Sequence, residues 1–376
     1  MKILVGDILK SKSQTLVNTV NCVGIMGKGI ALEFKNRFPE MFKDYVQRCD
    51  RNEIRVGQPC LYKSLFGQQI VNFPTKEHWK SISKISDVEN GLNFLLSHYK
   101  SWGITSIAIP PLGCGNGQLE WKVVGPLIYK CAKQMDIAVE IYAPYGTNPA
   151  ELTESFLENA GGTANAGRNV YSNGQIPFNP AWVGLVEILH RIENQPYHWP
   201  VGRTVFQKIA YIATQQGLPT GFNYQKSSYG PFSKELKPAE AKLINNNLLQ
   251  EQRLGKMFEI KVGTSFDEAR KRYNSLLGKY TAVIEKTADL FMRVDTTQAE
   301  ILATVIFTAN ALKQTEKSTI SETDVLEAVM QWKQRRNPPL GKSTVASAIR
   351  NLGMLHWLDV QPDNKLPVSE ENEVYA

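Results

Sequence analysis

Two glycine-rich loops, each between a short apolar run and a helical pattern, constrain this chain more than any other feature. The first follows Leu16–Asn21 and precedes helical spacing over Ile30–Arg37. The second follows Ile107–Ile109 and precedes helical spacing over Trp121–Gln134. Glycine lets the backbone approach a ligand closely, and the helix amino terminus beyond it offers N–H donors to phosphate. Two such units predict an α/β sheet layered with helices, with both loops on one phosphate-binding cleft.

The rest of the chain divides into three parts by composition. Further strands are predicted over residues 1–146, at Ile3–Val5, Cys60–Leu65, Gln69–Asn72 and Ile137–Ala143, with a helix over Asp87–Trp102. Residues 147–179 are rich in small residues and predict a linker, with a modest helix at Leu152–Glu158. Residues 180–364 predict a mainly helical domain, and residues 365–376 form an acidic tail. The helices predicted for the domain over residues 180–364 are Trp182–Ile192, Arg203–Gln216, Pro231–Asn246, Phe266–Met292, Thr297–Leu312, Glu322–Lys333 and Ser343–Leu352. An apolar run at Leu355–Leu358 suggests that this domain ends in a strand or is winged-helix-like.

Charge and cysteine usage restrict the classes of function. Residues 1–150 carry 18 Lys and Arg against 12 Asp and Glu, whereas the remainder carries 25 against 24, so the first part favours polyanions and the second is nearly neutral. Five scattered cysteines without CxxC spacing are typical of a reduced compartment and predict neither disulfides nor a metal site. The chain starts without a signal-peptide pattern and lacks an apolar run of about 20 residues, which predicts a cytoplasmic protein that does not enter a membrane.

Four segments of the first part form one pattern: Gly6-Asp7-Ile8, Val17–Asn21, Gly27–Ala31 and Pro111–Gly117. Together, over residues 1–146, they resemble a macrodomain, the ADP-ribose-binding fold. The resemblance implies an α/β/α three-layer sandwich with ADP-ribose along the strand ends and no cofactor.

The resemblance also implies which residues bind the ligand. Asp7 would accept a hydrogen bond from the adenine amino group, Asn21 would face the distal ribose, and Tyr145 would flank the adenine. The two glycine loops would hold the pyrophosphate and distal ribose through backbone N–H groups. The full predicted binding set is Asp7, Ile8, Asn21, Met26, Gly27, Lys28, Gly29, Ile30, Thr75, Pro111, Leu112, Gly113, Cys114, Gly115, Asn116, Gly117 and Tyr145.

Within macrodomains, the chain most resembles the branch related to the terminal ADP-ribose glycohydrolase, which uses a lysine at the position of Lys76. A neutral lysine could attack the anomeric carbon to give a Schiff base, and a cationic lysine could stabilise the leaving group. Most lysines, however, are simply solvated surface residues, and Lys28 or Lys80 could share or hold the role. His78, Trp79 and Lys80 are candidate DNA contacts, and packing beneath the loop is an equal alternative for Trp79.

One position departs from this branch. Its human-type enzyme carries an acidic residue where this chain has Gly117, so release from protein carboxylates is weakened as a hypothesis. Glu33 and Glu77 are weak candidates for supplying the role of that acidic residue. A different leaving group is favoured, and bacterial antitoxins of the DarG type, which remove ADP-ribose from thymidine in DNA, fit this departure. Cys114 has no neighbouring histidine in sequence and is interpreted as a small filler.

The second domain supports that resemblance. Phe206–Ala213 and Tyr229–Ser233 resemble the SocA-like antitoxin domain, convincingly over residues 180–254. Near-zero charge argues against DNA binding there, because sequence-independent affinity requires cationic contacts. The resemblance implies that this domain binds and neutralises a cognate DarT-type DNA ADP-ribosyltransferase toxin. The alternatives are a reader that binds ADP-ribose without cutting it and a ligand-sensing transcriptional regulator.

Overall fold

The computed structural model describes residues 1–65, 67–159, 176–255, 257–314 and 320–368. The chain divides into two compact units, Met1–Pro177 and Phe178–Ala376.

The first unit is built on one six-stranded sheet, whose strands are β1 (Lys2–Val5), β2 (Thr15–Val20), β3 (Cys60–Tyr62), β4 (Gln69–Pro74), β5 (Ser106–Ile109) and β6 (Ala138–Ala143). Their order in the sheet is β1-β6-β5-β2-β4-β3. The first five strands in this order are parallel to their neighbours, and β3 pairs antiparallel with β4 at the edge. Five parallel strands therefore end at the same side of the sheet.

Helices cover both faces of this sheet. Because side chains alternate along a strand, Leu16 and Val20 of β2 pack in one core with Phe34, whereas Val17 packs in the other. The first core lies under α1 (Gly29–Arg37) and α2 (Pro39–Asp50), and the second under α3 (Ile85–His98) and α4 (Trp121–Ala132). The three-layer α/β/α prediction is confirmed.

The first unit extends beyond residue 146. A 3-10 turn at Pro149–Leu152 and helix α5 (Glu154–Asn159) follow the last strand. Leu157 of α5 is 1% exposed and belongs to the core beneath α4. The start of the predicted linker is therefore part of the folded unit, and residues 160–175 of that linker lie outside the described residues.

The second unit is mainly helical, as predicted. Helix α12 contacts α7, α13 and α14, and α11 contacts α6 and α7. Two antiparallel hairpins, β7–β8 and β9–β10, accompany the helices. The elements are α6 (Trp182–Glu193), α7 (Arg203–Gln215), β7 (Gln225–Ser227), β8 (Gly230–Phe232), α8 (Leu236–Asn245), β9 (Leu249–Leu254), β10 (Met257–Val262), α9 (Phe266–Arg272), α10 (Asn274–Lys279), α11 (Thr281–Phe291), α12 (Thr296–Lys313), α13 (Glu322–Lys333) and α14 (Lys342–Met354).

Three predictions for this unit were wrong. The long helix predicted over Phe266–Met292 is three helices, α9 to α11. The helix predicted to start at Pro231 starts at Leu236, because Pro231 lies in strand β8. The predicted strand or wing at residues 355–358 is instead a turn after α14, with His356 in the left-handed region at φ 56°.

Long apolar helices and clusters of metal-ligating side chains are absent from the described residues. No helix among them is long and apolar enough to cross a membrane. Within the same ranges, no group of three or more His, Cys, Asp and Glu side chains could hold a metal ion.

Candidate functional site

The predicted site residues lie at one edge of the first unit's sheet. Parallel α/β sheets bind ligands beyond the carboxyl ends of their strands, and five such ends meet here. Asp7 follows β1, Tyr145 follows β6, the second glycine loop follows β5, Asn21 follows β2, and Lys76 follows β4. The topology thus brings together residues that are as far as 138 positions apart in the sequence.

Asn21 shapes the first glycine loop from inside. Its side chain is buried, its Nδ2 donates to the Ile25 carbonyl at 2.6 Å, and its Oδ1 accepts from the Val23 N–H at 2.9 Å. The buried Tyr45 hydroxyl donates to the Asn21 carbonyl at 2.8 Å and lies 3.2 Å from Oδ1. Burial raises the pKa of Tyr45 well above its ordinary value, so the hydroxyl keeps its proton. Asn21 therefore has a defined structural role in addition to its predicted contact with ribose.

The two glycine loops meet across the cleft. Gly29 has φ 59°, a conformation that glycine adopts without strain. A Cβ atom at Gly29 would lie 3.3 Å from Nδ2 of Asn116, which belongs to the second loop. Lys28 precedes α1 in an extended conformation, and no side chain caps the helix there. The amino terminus of α1 and the second loop thus line the same cleft.

The second loop is tightly packed at its base. Gly113 has φ 73°, and its carbonyl accepts from the Leu119 N–H at 3.1 Å. The Ser83 N–H donates to the Gly117 carbonyl at 3.0 Å. A Cβ atom at Gly117 would collide with the Ser83 side chain and the Gly113 carbonyl, whereas one at Gly115 would meet nothing within 4 Å. Residue 117 must therefore be glycine in this conformation, which excludes an acidic side chain there.

Cys114 fits its interpretation as a filler. Its thiol lies 3.8 Å from the Leu112 carbonyl, and burial raises its pKa to about 12. A thiol that holds its proton at neutral pH is a poor nucleophile.

Lys76 connects the end of β4 to the second loop. The preceding residue, Thr75, is 3% exposed, and its N–H donates to the Val20 carbonyl at 3.0 Å. The partly exposed Lys76 donates from Nζ to the Asn116 carbonyl at 3.1 Å. Its Nζ atom is thereby held at the point where the two loops meet.

The other residues considered for a catalytic role lie in different environments from Lys76. The exposed Lys28 precedes α1, and Lys80 lies with its Nζ 5.0 Å from the Trp79 ring centroid. The side chains of Glu33, on α1, and Glu77, directly after Lys76, are exposed.

The outer residues of the predicted set are accessible. Asp7 is exposed, and one of its carboxylate oxygens accepts from the Leu9 N–H at 3.0 Å. Tyr145 is 77% exposed and Trp79 is 43% exposed. Tyr45 of α2 and Ser83, which lies two residues before α3, support the loops and were not among the predicted residues. No local pattern marked either of them, because their role depends on contacts with distant residues.

Comparisons with known proteins agree with this geometry. Residues 17–128 match the family model for the macro domain. The chain carries a macrodomain. It is 35% identical over 239 residues to a protein of Mycobacterium tuberculosis named DNA ADP-ribosyl glycohydrolase, covering 62% of this chain and 64% of the relative. The chain thus spans somewhat less than two thirds of that relative's length.

Two further matches cover a smaller share of the chain. A DNA ADP-ribosyl transferase–DNA ADP-ribosyl glycohydrolase fusion protein of Thermosipho africanus is 38% identical over 162 residues, covering 38% of this chain and 42% of the relative. The solved macrodomain of Mycobacterium tuberculosis DarG is 44% identical, with a TM-score of 0.37, and the match covers 38% of this chain and 97% of that one.

Proposed function

We propose that this protein is a DarG-type antitoxin whose macrodomain removes ADP-ribose from thymidine in single-stranded DNA. The observation that carries the proposal is the position of Lys76, whose Nζ contacts the second glycine loop where it meets the first. The relatives from Mycobacterium tuberculosis and Thermosipho africanus carry DNA ADP-ribosyl glycohydrolase in their names, which supports the same reaction for this chain. Such a substrate belongs to the cytoplasm of a bacterial cell.

The binding step uses the backbone of both loops. ADP-ribose would lie along the carboxyl edge of the sheet, with its pyrophosphate against N–H groups of the loops and the amino terminus of α1. The exposed Asp7 carboxylate would accept from the adenine amino group, with Tyr145 beside the ring. Asn21 would hold the first loop in the shape that admits the distal ribose.

Two chemical roles are open to Lys76. As a neutral amine, its Nζ attacks the anomeric carbon while the bond to thymine breaks and the base takes a proton. The glycosylamine formed on Nζ then opens its ribose ring, by cleavage of the bond between the anomeric carbon and the ring oxygen, to give a Schiff base. Water hydrolyses the Schiff base, which releases ADP-ribose and restores the amine. As a cation, the same group stabilises charge on the departing base while water attacks directly.

The space around Gly117 favours a nucleobase as the leaving group. Because Ser83 and the Gly113 carbonyl fill the position of any side chain at residue 117, this loop lacks the acid that related enzymes use on protein carboxylates. A nucleobase leaves as a stabilised anion or after one protonation.

The test follows ADP-ribose release from a thymidine-ADP-ribosylated oligonucleotide by mass spectrometry. We expect release by the wild type and a loss of at least about 100-fold for Lys76→Ala, as for removal of a nucleophile or general acid. Lys130→Ala is the matched control, since this exposed lysine lies in the last turn of α4, away from the carboxyl edge of the sheet. Affinity for free ADP-ribose should persist in both variants.

The outcomes separate the hypotheses. ADP-ribose binding without release by the wild type would contradict the enzyme and support a non-catalytic reader. Borohydride reduction during turnover should trap a covalent adduct on wild type only if Lys76 is the nucleophile. Turnover without trapping would favour the cationic role.

For the second unit we infer binding to a DarT-type DNA ADP-ribosyltransferase toxin. The nearly neutral charge of this part of the chain and the fusion of both activities in the Thermosipho relative support a protein partner. The full-length Lys76→Ala variant should still bind an inactivated toxin in a calorimetric titration. Salt-sensitive binding to duplex DNA without toxin binding would favour the transcriptional regulator instead.

A further inference from the structure

We propose that Val23, Ile25 and Trp79 form a stacking platform for a nucleobase of the DNA strand, with Lys80 as its phosphate contact. This inference rests on the proposed function and adds a subsite beyond ADP-ribose. All three apolar side chains are substantially exposed, at 37%, 44% and 43%. Exposed apolar side chains at the edge of a ligand cleft can serve as a binding surface.

The backbone joins the two segments that carry this platform. The Cys22 N–H donates to the Glu77 carbonyl at 2.9 Å, which ties the segment after β2 to the segment after β4. Val23 follows one end of this hydrogen bond, and Trp79 lies two residues beyond the other. The platform therefore belongs to the same edge of the sheet as Lys76.

The segment 78–80 holds the indole in a defined environment. The His78 and Trp79 rings lie 5.5 Å apart, and Nζ of Lys80 lies 5.0 Å from the Trp79 centroid. The Lys80 N–H also donates to Nδ1 of His78 at 3.2 Å, which closes a compact turn. The exposed indole and the ammonium thus lie side by side, the combination that single-stranded DNA binders use for a base and its phosphate.

The position relative to Lys76 specifies which part of the substrate is recognised. Nζ of Lys76 contacts the second loop, where the distal ribose is expected, and Trp79 follows three residues later. The DNA strand must leave the cleft from the anomeric carbon, because the scissile bond joins that carbon to the base. The platform would take the modified thymine or its neighbour, whereas ADP-ribose alone would not reach it.

The experiment compares two ligands for each variant, in the full chain carrying Lys76→Ala so that nothing is cleaved. Affinities for free ADP-ribose and for an ADP-ribosylated single-stranded oligonucleotide are measured by calorimetry. We expect Trp79→Ala to weaken oligonucleotide binding about 5- to 100-fold and leave ADP-ribose binding unchanged. Trp79→Phe should retain most of the affinity, and Lys80→Ala should reduce the salt dependence of oligonucleotide binding.

Trp199→Ala is the matched control, because this tryptophan is 58% exposed in the second unit. Equal weakening of both ligands by Trp79→Ala, or wild-type affinity for the oligonucleotide, would overturn the platform. The result is independent of catalysis. If the protein proves to be a reader, a selective loss for Trp79→Ala still establishes the subsite.

Discussion

The two units bury polar side chains of different kinds. Among the described residues of the first unit, every buried polar side chain is uncharged: Ser11, Ser13, Thr15, Asn18, Asn21, Asn72, Thr75 and Ser83. The described part of the second unit also buries ionisable side chains: Glu187, Lys208, Glu240, Glu259, Glu300, Glu322 and Lys333. The first unit therefore keeps its charges at the surface, where they can act on a polyanionic ligand. The second unit uses several of these groups, Glu187, Glu300 and Glu322 among them, in ion pairs that join its own elements.

The Glu300 cluster shows what buried charges do in the second unit. Glu300 accepts from Nζ of Lys333 at 2.7 Å and from the Arg336 guanidinium at 3.2 Å. Lys333 also donates to the Ser228 carbonyl at 2.8 Å, and Lys208 donates to the Pro231 carbonyl at 2.7 Å. Two buried lysines thus hold the β7–β8 hairpin against α7 and α13, and this hairpin overlaps the segment Tyr229–Ser233 on which the predicted antitoxin resemblance rests.

The largest expected change in stability comes from a substitution in the Glu300 cluster. Glu300→Gln should lower the free energy of unfolding of the second unit by about 3–5 kcal/mol, because two cations would lose their buried counter-ion. Urea denaturation measures this change in the free energy of unfolding. Glu285→Gln is the control, since its exposed ion pair with Arg191 is worth about 0–1 kcal/mol. Equal effects of the two variants would show that the burial of charge in the second unit is energetically unimportant.

The second expected effect is a dependence of the stability of the second unit on pH. Burial, reinforced by Glu251 and opposed by Arg203, raises the pKa of Glu240 from 4.5 to about 8. The folded state therefore keeps a proton that the unfolded state releases between these pH values. The free energy of unfolding of the second unit should fall as pH rises through this window, by up to about 1.4 kcal/mol per pH unit.

Thermal unfolding from pH 5 to 8 tests this pH dependence against Glu240→Gln. The variant cannot ionise at this position, so its melting temperature should fall less steeply with pH. Identical slopes in both proteins would mean that Glu240 does not bind the extra proton.

The same contrast explains how far the sequence predicts the structure. In the first unit, short apolar runs and glycine loops define the sheet and its carboxyl edge, because local pattern and burial coincide there. The predicted site residues accordingly follow the ends of the five parallel strands. The tight base of the second loop was not predictable, since Ser83 reaches Gly117 from a segment without a pattern of its own.

In the second unit, contacts between distant residues override local pattern. Pro231 was assigned to a helix, but its carbonyl is held by a lysine 23 positions earlier in the sequence. The β9–β10 hairpin was missed because Leu249–Leu254 is polar apart from its ends and largely exposed. The helix predicted over Phe266–Met292 breaks at Tyr273 and Tyr280, which have non-helical ψ values of 18° and 16°.

The smallest expected change in stability comes from removing a buried hydrogen bond between uncharged groups in the first unit. Tyr45→Phe removes a buried neutral hydrogen bond to Asn21 without changing the shape of the ring. We expect a loss of about 1 kcal/mol in the free energy of unfolding of the first unit, with no added dependence on pH. Because Asn21 shapes the first glycine loop, affinity for ADP-ribose should also fall several-fold. Tyr62→Phe, on the partly buried strand β3, is the matched control in calorimetry and denaturation. A loss as large as that of Glu300→Gln would mean that the buried neutral network is as sensitive to removal of one partner as the ionic one, and the contrast between the two units would fail.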